Sequence, residues 1–417
     1  MSKHLLILSL DSLSQEDLDQ LSKMTHFSRL LQEGTLVREV DSIFLTNTYT
    51  IHTSIITGCH PARHGVLDNL RKDPGNPDPP WHWHRKWIRT TTLYDEAAKQ
   101  GLTVASLLWP VTAKAKIRWN FPEIFPHRKG QSQALLTLTN SSFWFALRGV
   151  LRHGKGLKGK HEPELDDFTI PFMEETILKR KPNLILHHLI DTDTQKHQYG
   201  LKDRHTKESI KRMDHRIGRL VRSMKKLDKD YGLILFSDHG SLAVQETVDP
   251  NDILEDMGIQ VPRRPGAPWD AWFRTCGGTA FLYLQPHRMD LAEKIRKRFE
   301  DLIHETGNGY RRILSPEEMK TSGFDQEAVF GIEGERGTEF HNDGSRYKAN
   351  HGYSLKNEGY KVFYFAKGPG IPEGKVLQEG SLLDITPLAA KMLDIPPWDM
   401  DGTIHDKLYN KEGPKHG

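Results

Sequence analysis

Three separate motifs in the sequence contain carboxylate and imidazole side chains at close spacing. Asp193 and His197 are four residues apart in DTDTQKHQYG, Asp238 and His239 are adjacent in SDHG, and His351 precedes a glycine in NHGYS. Carboxylate oxygens and neutral imidazole nitrogens are ligands that suit Zn²⁺ or a similar borderline cation. Taken singly, an Asp after a strand is often a helix N-cap, and a lone His is often structural. Because N-capping does not explain the histidines, the three motifs together predict a metal centre.

A second stretch that could contain catalytic residues is FLTNTYTIHTSIITGCHPARHGVLDN, residues Phe44 to Asn69. It holds several hydroxyl side chains before a short apolar-periodic segment, followed by Gly58 and Cys59. A hydroxyl or a thiol can attack a substrate when a base, a lowered pKa or a metal ion activates it. The residue types alone leave open which side chain would be the nucleophile.

The acidic residues that could bind metal follow short apolar runs. LLILSLD ends at Asp11, LILHHLIDTD ends at Asp191 and Asp193, and GLILFSD ends at Asp238. Each run is typical of a buried parallel strand, and helical patterns at 93–102 and 207–227 alternate with the runs. The alternation predicts an α/β fold with a doubly wound, mostly parallel sheet and helices on both faces. Ligands of such sheets bind beyond the carboxyl ends of the strands, where these acids would lie.

Two stretches interrupt the alternation, and we expect both to be insertions in one domain that spans residues 1–417. Residues 114–165 are basic and contain the loop-like HGKGLKGKH, which favours either a lid or a solvated insertion. Residues 248–350 contain a strand pattern, GTAFLYLQ, and a helix pattern, RMDLAEKIRKRFEDLIHE. These patterns predict a small α+β insertion.

Composition argues against several classes of protein. Lys and Arg number 58 and Asp and Glu 55, a net charge of +3 that is no signature of nucleic-acid or membrane binding. The two cysteines are too few for a disulfide framework and favour a reducing compartment. The apolar run at 5–10 is shorter than the roughly 7 to 15 residues of a signal-peptide core, and no segment reaches the roughly 18 apolar residues of a membrane span. We therefore expect a cytoplasmic protein without a transmembrane segment.

Six segments occur in the order found in the alkaline phosphatase superfamily: LSLDSL, TNTYTIHTSIITG, HPARHGVLDN, DTDTQKHQYG, SDHGS and HGYS. The chain resembles most closely the type I phosphodiesterase/nucleotide pyrophosphatase branch of that superfamily. The resemblance implies an alkaline phosphatase-like fold and two divalent metal ions, with zinc expected. It assigns one ion to Asp11, Asp238 and His239, and the other to Asp193, His197 and His351, with Thr48 as a further residue that contacts metal. Two such ions would clamp the attacking and leaving oxygens of an in-line displacement.

The resemblance also selects between the candidate nucleophiles. The segment CHPAR matches the Cys-x-Pro-x-Arg motif of sulfatases, which are relatives in the same superfamily. In sulfatases that Cys begins the helix, nine residues before the Thr that precedes the closing Gly, and counting back from Thr57 leads to Thr48. Thr48 would be the N-cap of a helix that starts at Tyr49 and stops at Gly58, where amide hydrogens can receive phosphate oxygens. Thr48 is therefore the expected nucleophile, and Cys59 is expected to face away from the metals.

Two further site residues follow from the resemblance. Asn69 matches the family asparagine that helps to bind the phosphoryl oxygen as an uncharged donor. Tyr49 matches an aromatic position that flanks a nucleobase or another leaving group. Asn47 stands where close relatives often have Lys, and Lys196 stands where they have Gly. These departures leave the metal ligands in place and bear on nucleotide specificity.

The resemblance implies a metal-dependent phosphodiesterase or nucleotide pyrophosphatase that forms a covalent phosphothreonine and acts on a small phosphate ester such as a nucleotide. The alternative is a phosphomonoesterase or phosphonate hydrolase of the same superfamily. Asn69 favours a diester, whereas the cations Arg63, Arg71 and Lys72 would suit the extra charge of a monoester. A metal-stabilised binding protein without turnover is a third hypothesis, which a broken ligand set or a missing nucleophile would favour.

Overall fold

The structure is a computed structural model that describes residues 3–126, 130–157, 161–305, 307–325, 327–341 and 347–409. The strands in these ranges are β1 Leu5–Leu10, β2 Thr35–Asp41, β3 Val104–Leu107, β4 Trp119–Phe121, β5 Leu184–Leu189, β6 Gly232–Ser237, β7 Leu242–Ala243, β8 Glu246–Val248, β9 Ala271–Cys276, β10 Thr279–Leu284, β11 Tyr310–Leu314, β12 Phe330–Gly334, β13 Thr338–Phe340, β14 Ala349–Asn350, β15 Val362–Lys367 and β16 Lys375–Ser381.

The α-helices in the same ranges are α1 Gln15–Leu21, α2 Thr25–Leu30, α3 Thr48–Thr57, α4 Pro61–His64, α5 Leu93–Lys99, α6 Gln133–Asn140, α7 Phe143–His153, α8 Glu164–Arg180, α9 Asp191–Tyr199, α10 Arg204–Leu227, α11 Pro250–Asp256, α12 Leu291–His304, α13 Pro316–Thr321 and α14 Ile385–Met392. Within the described part of the chain, none of these helices combines the length and the apolar character that crossing a membrane requires.

One large mixed sheet organises the molecule, with the strand order β16-β2-β15-β6-β1-β5-β3-β4. β1 lies between β5 and β6 and runs parallel to both, and β3 continues the parallel arrangement from β5 to β4. β15 runs antiparallel to its two neighbours, β6 and β2, and β16 pairs in parallel with β2. The predicted α/β fold with a mostly parallel sheet is confirmed.

Helices cover both faces of this sheet. Because successive side chains of a strand point to opposite faces, each central strand contributes to the core on either side. In β1, Leu5 and Ile7 belong to a core that also holds residues of α3, α5 and α14. Leu6, Leu8 and Leu10 belong to the opposite core, with residues of α1, α2, α8 and α10. Every residue of β1 is buried, which explains why the strand is a nearly continuous apolar run in the sequence.

A second sheet lies within residues 248–350, where the sequence predicts an α+β insertion. This sheet is antiparallel, with the order β11-β12-β10-β9, and α12 packs on it through Phe299, whose ring lies 4.9 Å from that of Phe273. The predicted strand and helix patterns are present as β10 and α12. Residues 306, 326 and 342–346 of this segment lie outside the described residues.

Residues 114–165 contain an edge strand and two helices. β4 extends the main sheet beside β3, and α6 and α7 follow it in the chain. α7 packs on α8 through Phe145, whose ring lies 4.6 Å from the ring of Phe172. The sequence predicts a loop at 153–161, and α7 ends at His153, the first residue of that range. Residues 127–129 and 158–160 lie outside the described part of the chain.

Candidate active site

The carboxyl ends of the central strands deliver the predicted ligands to one cavity. Asp11 follows β1, and Asp238 follows β6, a neighbour of β1. Asp193 lies in the first turn of α9, which begins just after β5 on the other side of β1. The cavity has a volume of about 570 Å³. Its walls include Asp11, Thr48, Asn69, Asp193, His197 and His351, and fully buried nearby are Asp238 and His239.

Asp193, His197 and His351 form one group of potential metal ligands. Oδ2 of Asp193 lies 3.0 Å from Nε2 of His197. Nδ1 of His197 donates to the carbonyl oxygen of Ala349 at 2.7 Å, and Nδ1 of His351 donates to Oδ1 of Asn47 at 2.7 Å. With its proton on Nδ1, each ring has a lone pair on Nε2 that can bind a metal ion, and in His197 the metal would take the place of the Nε2 contact with Asp193.

Asp11, Asp238 and Thr48 all lie close to the imidazole of His239. Nε2 of His239 lies 3.4 Å from Oδ1 of Asp11 and 3.4 Å from Oδ2 of Asp238. Oγ1 of Thr48 lies 3.2 Å from the same nitrogen. Nδ1 of His239 donates to the carbonyl oxygen of Gly240 at 3.2 Å, which again leaves Nε2 for a metal ion. The structure therefore brings together the three residues that the resemblance assigns to one ion and places Thr48 beside them.

Asp193 lies between the two groups, although the resemblance assigns it to one ion only. Ligand-type atoms of Asp11, Asp193 and His239 lie within 4.8 Å of one another, as do those of Asp193, His197 and His351. Each oxygen of the Asp193 carboxylate can thus serve a different group. This position suggests that the two ions would share Asp193 or lie close to it on either side.

The donor set fits divalent cations. Oδ1 of Asp11, Oδ1 of Asp193 and Oδ2 of Asp238 are buried and have no hydrogen-bond partner among the described residues. A buried carboxylate oxygen without a partner is costly, and a bound cation would satisfy it. The combination of carboxylate and imidazole ligands suits zinc.

Burial sets the protonation of these ligands. It raises the pKa of Asp238 to about 6, and it raises the pKa of Asp11, where the charges of Asp238 and Asp193 act in the same direction. Burial lowers the pKa of His239 to about 4 and the pKa of His351 to about 3. Both imidazoles are therefore neutral at pH 7, which is the form that binds metal. The crowded carboxylates repel one another, and a cation between them would relieve that repulsion.

Thr48 begins α3, so its hydroxyl lies at the amino end of this helix. The predicted helix start at Tyr49 is wrong by one residue, because Asn47 takes the N-cap position and makes no side-chain cap bond. The predicted stop is confirmed: Gly58 has φ 70° and ψ 17°, a left-handed conformation that favours glycine. Orphan amide groups and the positive end of the helix dipole therefore accompany Thr48 at the cavity.

Asn69 lines the cavity, and Tyr49 is not among the residues that do. Oδ1 of Asn69 accepts a hydrogen bond from the backbone N–H of Tyr49 at 2.8 Å, which leaves the Asn69 NH2 group as a donor toward the cavity. The Tyr49 ring is fully buried in the core, with the Trp81 ring 5.2 Å away. Trp81 and Phe125, whose ring centroids are 4.9 Å apart, form the aromatic wall. The expected contact of Tyr49 with a leaving group is therefore corrected: Tyr49 supports Trp81 from behind.

Cys59 lies beyond the other end of α3. Its Sγ lies 3.6 Å from the carbonyl oxygen of Thr57 and 3.9 Å from that of Asp399, and it is not among the residues that line the cavity. Burial raises the pKa of the Cys59 thiol, which disfavours the reactive thiolate. The segment CHPAR therefore matches the sulfatase motif in sequence, but its cysteine lies outside the cavity.

The three cations considered for a monoester substrate differ in position. Arg63 pairs with two carboxylates near the C-terminal end of the described chain, and Lys72 pairs with Glu327. Arg71 lines the cavity, and its guanidinium carbon lies 4.3 Å from the centroid of the Trp87 ring. Of the three, Arg71 is therefore the cation that lies where a substrate would bind.

Buried polar groups support the ligands from behind. Nε2 of His188 lies 3.1 Å from Oδ2 of Asp11, and its Nδ1 lies 3.2 Å from Oε2 of Glu123. His52 lies one turn after Thr48, and its Nδ1 donates to the Thr48 carbonyl oxygen at 2.8 Å. The pair HH in the apolar run LILHHL was a signal for His188. Sequence reasoning missed Glu123 and His52, and no local pattern marks Glu123.

A chain of hydrogen bonds links the 248–350 segment to the site, and sequence reasoning missed it too. Nη2 of Arg274 in β9 lies 3.0 Å from Oδ2 of Asp68. Oδ1 of Asp68 accepts from Nδ2 of Asn47 at 2.6 Å and from the backbone N–H of Asn69 at 2.7 Å. Because Asn47 also accepts from His351, this chain orients both a ligand and the cavity asparagine. Asn47, which differs from the Lys expected from the resemblance, is thus part of a local hydrogen-bond network.

Comparison with known proteins identifies the family of this chain. The family model of type I phosphodiesterase / nucleotide pyrophosphatase matches residues 5–353. The bis(5'-adenosyl)-triphosphatase ENPP4 of Pongo abelii is 21% identical over 415 residues, which cover 96% of this chain and 80% of that protein. A venom phosphodiesterase of Macrovipera lebetinus is 25% identical over 232 residues, which cover 52% of this chain and 23% of the venom protein.

Solved structures share the fold. Murine ectonucleotide pyrophosphatase / phosphodiesterase 5 matches with a TM-score of 0.67 at 18% identity, over 96% of this chain and 97% of the murine chain. An inactive threonine-to-alanine variant of the same murine protein, in complex with AMP, matches with a TM-score of 0.68 at 18% identity, over 97% and 98% of the two chains. The family match at 5–353 includes every predicted ligand and Thr48. The chain therefore belongs to the type I phosphodiesterase/nucleotide pyrophosphatase family of the alkaline phosphatase superfamily and is a hydrolase of phosphoric esters.

Proposed function

We propose that this chain hydrolyses phosphodiesters or nucleotide pyrophosphates with Thr48 as the nucleophile and with two divalent metal ions, zinc first among them. The observation that carries the proposal is the position of the Thr48 hydroxyl. It lies at the amino end of α3, in the wall of the cavity, 3.2 Å from Nε2 of His239. The inactive variant of the murine relative replaces a threonine by alanine, which supports an essential threonine.

The residues would hold two ions in the groups described above. Asp11, Asp238 and His239 would bind the ion beside Thr48, and His197 and His351 would bind the other, with Asp193 within reach of both. When bound, such ions lower the pKa of a hydroxyl and of water and offset the charge on phosphoryl oxygens.

The side chains of the cavity suggest the following course of reaction. Oγ1 of Thr48 releases its proton to solvent and attacks phosphorus, so that a new O–P bond forms while the bond to the leaving oxygen breaks, and the leaving group takes a proton from solvent. The NH2 group of Asn69 donates to a phosphoryl oxygen as its charge develops. Water then attacks the phosphothreonine, the Thr48 O–P bond breaks, and the Thr48 hydroxyl is restored with release of the product.

A small phosphate ester such as a nucleotide is the substrate that we propose. Trp81 and Phe125, whose ring planes are inclined by 52°, supply aromatic faces on which a base or an aryl leaving group can stack. The relative from Pongo abelii is named for a bis-adenosyl triphosphate, and the murine variant was solved with AMP. Both names support a nucleotide.

We propose the cytoplasm as the location of the protein. Cys59 and Cys276 are both free thiols, and a reducing compartment would keep them in that form.

A phosphomonoesterase or phosphonate hydrolase is the second candidate, because Arg71 lines the cavity and can pair with the extra charge of a monoester. Arg63 and Lys72 give it no support, since carboxylates already neutralise them. A binding protein without turnover has less support, because the nucleophile and both groups of ligands are present.

The test compares bis-para-nitrophenyl phosphate with para-nitrophenyl phosphate as substrates of the zinc-reconstituted protein. We expect the higher kcat/KM for the diester, and Arg71→Gln should leave that preference unchanged. After rapid acid quench, mass spectrometry should find the phosphoryl adduct on the peptide that contains Thr48. A higher kcat/KM for the monoester that falls in Arg71→Gln would establish the second candidate, and an adduct on another residue would reject Thr48.

A further inference from the structure

Helix α7 is apolar on two opposite sides, although it lies at the surface. On its inner side Phe145 and Gly149 are buried, and a β carbon at Gly149 would lie only 2.2 Å from the ring of Phe172. On its outer side Trp144 and Leu151 are 78% and 71% exposed. A surface helix of a globular protein normally has one apolar face, which packs on the core, so the second apolar side of α7 has no cover among the described residues.

The exposed side chains extend from α7 to the neighbouring helix α6. We call this surface the apolar corner; it consists of Leu135, Phe143, Trp144, Val150 and Leu151. These are five of the ten large hydrophobic side chains that are exposed in the described ranges, and they lie within 17 consecutive residues. Single exposed hydrophobic residues need no explanation, but a concentration of this kind marks an interaction site.

The adjacent parts of the chain do not offer a cover for the apolar corner. Residues 127–129, which precede α6, are His, Arg and Lys, and residues 158–160, which follow α7, are Lys, Gly and Lys. None of these six residues has an apolar side chain that could pack on Trp144 or Leu151. In the sequence, the segments that flank the corner are instead basic.

The charge around the apolar corner is strongly asymmetric. Residues 114–161 contain ten Lys and Arg and one acidic residue, Glu123, whereas the rest of the chain has fewer Lys and Arg than Asp and Glu. The net charge of +3 for the whole chain therefore hides a basic segment. A composition averaged over the chain gives no sign of this local excess.

Three of the basic residues lie on or next to the helices that carry the apolar side chains. The backbone N–H of Lys114 donates to the carbonyl oxygen of Asn140, the last residue of α6. Arg148 and Arg152 project from α7 itself, where both lie near Glu175 of α8. This carboxylate offsets part of their charge, and Lys116 and Lys155 of the same segment are exposed.

We propose that the apolar corner docks the protein on a lipid surface that carries anionic head groups. Trp and Leu on the outer face of a helix enter the boundary between head groups and acyl chains, while Lys and Arg beside them attract the anionic lipid. A second copy of the chain would place two basic segments against each other, which repulsion disfavours. A nucleic acid would pair with the cations and leave the apolar side chains exposed.

The apolar corner lies close to one wall of the cavity. Nε2 of Gln133, the first residue of α6, donates to the carbonyl oxygen of Ile124 at 2.7 Å. Ile124 is followed by Phe125, which lines the cavity. Docking would therefore hold the aromatic wall of the cavity near the lipid surface. The proposal does not rest on the reaction that the cavity performs.

The test is sedimentation of the full chain with vesicles of equal parts phosphatidylglycerol and phosphatidylcholine, with vesicles of phosphatidylcholine alone as the control. We expect the protein to sediment with the anionic vesicles and to be released at high salt, because screening weakens the charge attraction. The tryptophan fluorescence should shift to shorter wavelength on binding, and this shift should be smaller in Trp144→Ser.

Matched variants separate the apolar corner from the rest of the surface. Trp144→Ser combined with Leu151→Ser should weaken vesicle binding at least tenfold, while Val376→Ser, at a 52% exposed residue of β16, should have no effect. Lys116→Glu combined with Lys155→Glu should weaken binding, whereas the same change at Lys294 and Lys297 of α12 should not. Hydrolysis of a soluble diester should be unchanged in all these variants, which checks the fold.

Three results would overturn the proposal. The first is equal sedimentation with both kinds of vesicle or with neither. The second is wild-type binding by Trp144→Ser alone and by the double variant. The third is a concentration-dependent dimer, detected by light scattering, that Trp144→Ser abolishes, because it would assign the apolar corner to a second copy of the chain.

Discussion

The two ends of α3 each present a potential nucleophile in a very different environment. At the amino end, Oγ1 of Thr48 lies 3.2 Å from Nε2 of His239 and in the wall of the cavity. At the carboxyl end, the chain turns at Gly58, and Sγ of Cys59 lies near the backbone carbonyl oxygens of Thr57 and Asp399. The ten-residue helix α3 thus separates the proposed catalytic hydroxyl of Thr48 from the thiol of Cys59, which packs against backbone.

The comparison teaches that position outweighs intrinsic reactivity. A thiol is the better nucleophile at neutral pH, and Cys59 even stands in a sulfatase-like motif. Burial raises the pKa of this thiol, and the negative end of a helix dipole does not favour a thiolate. The threonine hydroxyl is weak by itself, but it lies beside buried carboxylates and imidazoles that fit metal ions.

The largest effect should come from removing the hydroxyl at the amino end. We expect Thr48→Ala to lower kcat for a diester by about 10⁴-fold, since the covalent route loses its nucleophile. Thr48→Ser should keep part of the activity because it keeps the oxygen. Elemental analysis should find the same metal content in both variants as in the wild type. Near-normal turnover by Thr48→Ala would remove the basis of the comparison.

Loss of a metal ligand should lower activity almost as far. His351→Ala should retain one of two metal equivalents, because His351 belongs to one group only. Asp193→Ala should weaken both, since this residue lies in both groups. Elemental analysis after zinc reconstitution and gel filtration measures the difference, with Cys59→Ala as the variant that keeps both ions. Equal metal content in His351→Ala and Asp193→Ala would contradict the shared position of Asp193.

A smaller effect on catalysis should follow from Asn69→Ala. The NH2 group of Asn69 is placed to donate to a phosphoryl oxygen, and we expect kcat to fall by about 10²-fold when it is removed. Asn76 also lines the cavity, but its side chain bonds to Asp73, so Asn76→Ala should stay within about twofold of wild type. Equal losses in the two variants would show that Asn69 acts through general packing alone.

At the carboxyl end of α3, a substitution should affect stability and spare catalysis. Gly58 has φ +70°, and a β carbon there would lie 2.9 Å from Cγ and Sδ of Met400. We expect Gly58→Ala to reduce the free energy of unfolding by about 1 kcal/mol or more, as measured by urea unfolding. Gly101 has φ +74° and open space around it, so Gly101→Ala should report the backbone strain without the contact. A large fall in kcat for Gly58→Ala would mean that the carboxyl end does take part in catalysis.

The smallest effect should come from Cys59→Ala. Because the thiol lies outside the cavity, we expect kcat to stay within about twofold of wild type. Intact-protein mass spectrometry of the wild type should show no mass loss from conversion of Cys59 to formylglycine. A Cys59→Ala variant that folds normally and is inactive would reverse the assignment of the two ends.

The grouping of the candidate ligands at one edge of the sheet was predictable from the sequence, for a topological reason. Parallel strands bring their carboxyl ends to one edge of a sheet, so an acid after each buried run marks that edge. Asp11 and Asp238 follow neighbouring strands, and Asp193 follows the next one by a few residues. The motif order then identified Thr48 and Asn69, which both line the cavity.

Other parts of the site could not be predicted because they depend on contacts between distant segments. Tyr49 was expected at the leaving group, but the packing of Trp81 on its ring keeps it in the core. Glu123 reaches His188 across 65 residues of sequence, and Arg274 reaches Asp68 across 206. No local pattern records such pairs, because each partner has an ordinary neighbourhood in its own segment.

The sequence by itself determined the alternation of strand and helix, the acids at the strand ends and the stop of α3 at Gly58, because each depends on short-range periodicity or on the conformation of one residue. Only the tertiary structure decided that Asp193 lies between two groups of ligands, that Trp81 covers Tyr49, and that Trp144 lies outside the core. These features depend on which surfaces of separate elements meet. The sequence shows the type of an apolar residue, but it does not show whether another element of the fold covers its side chain.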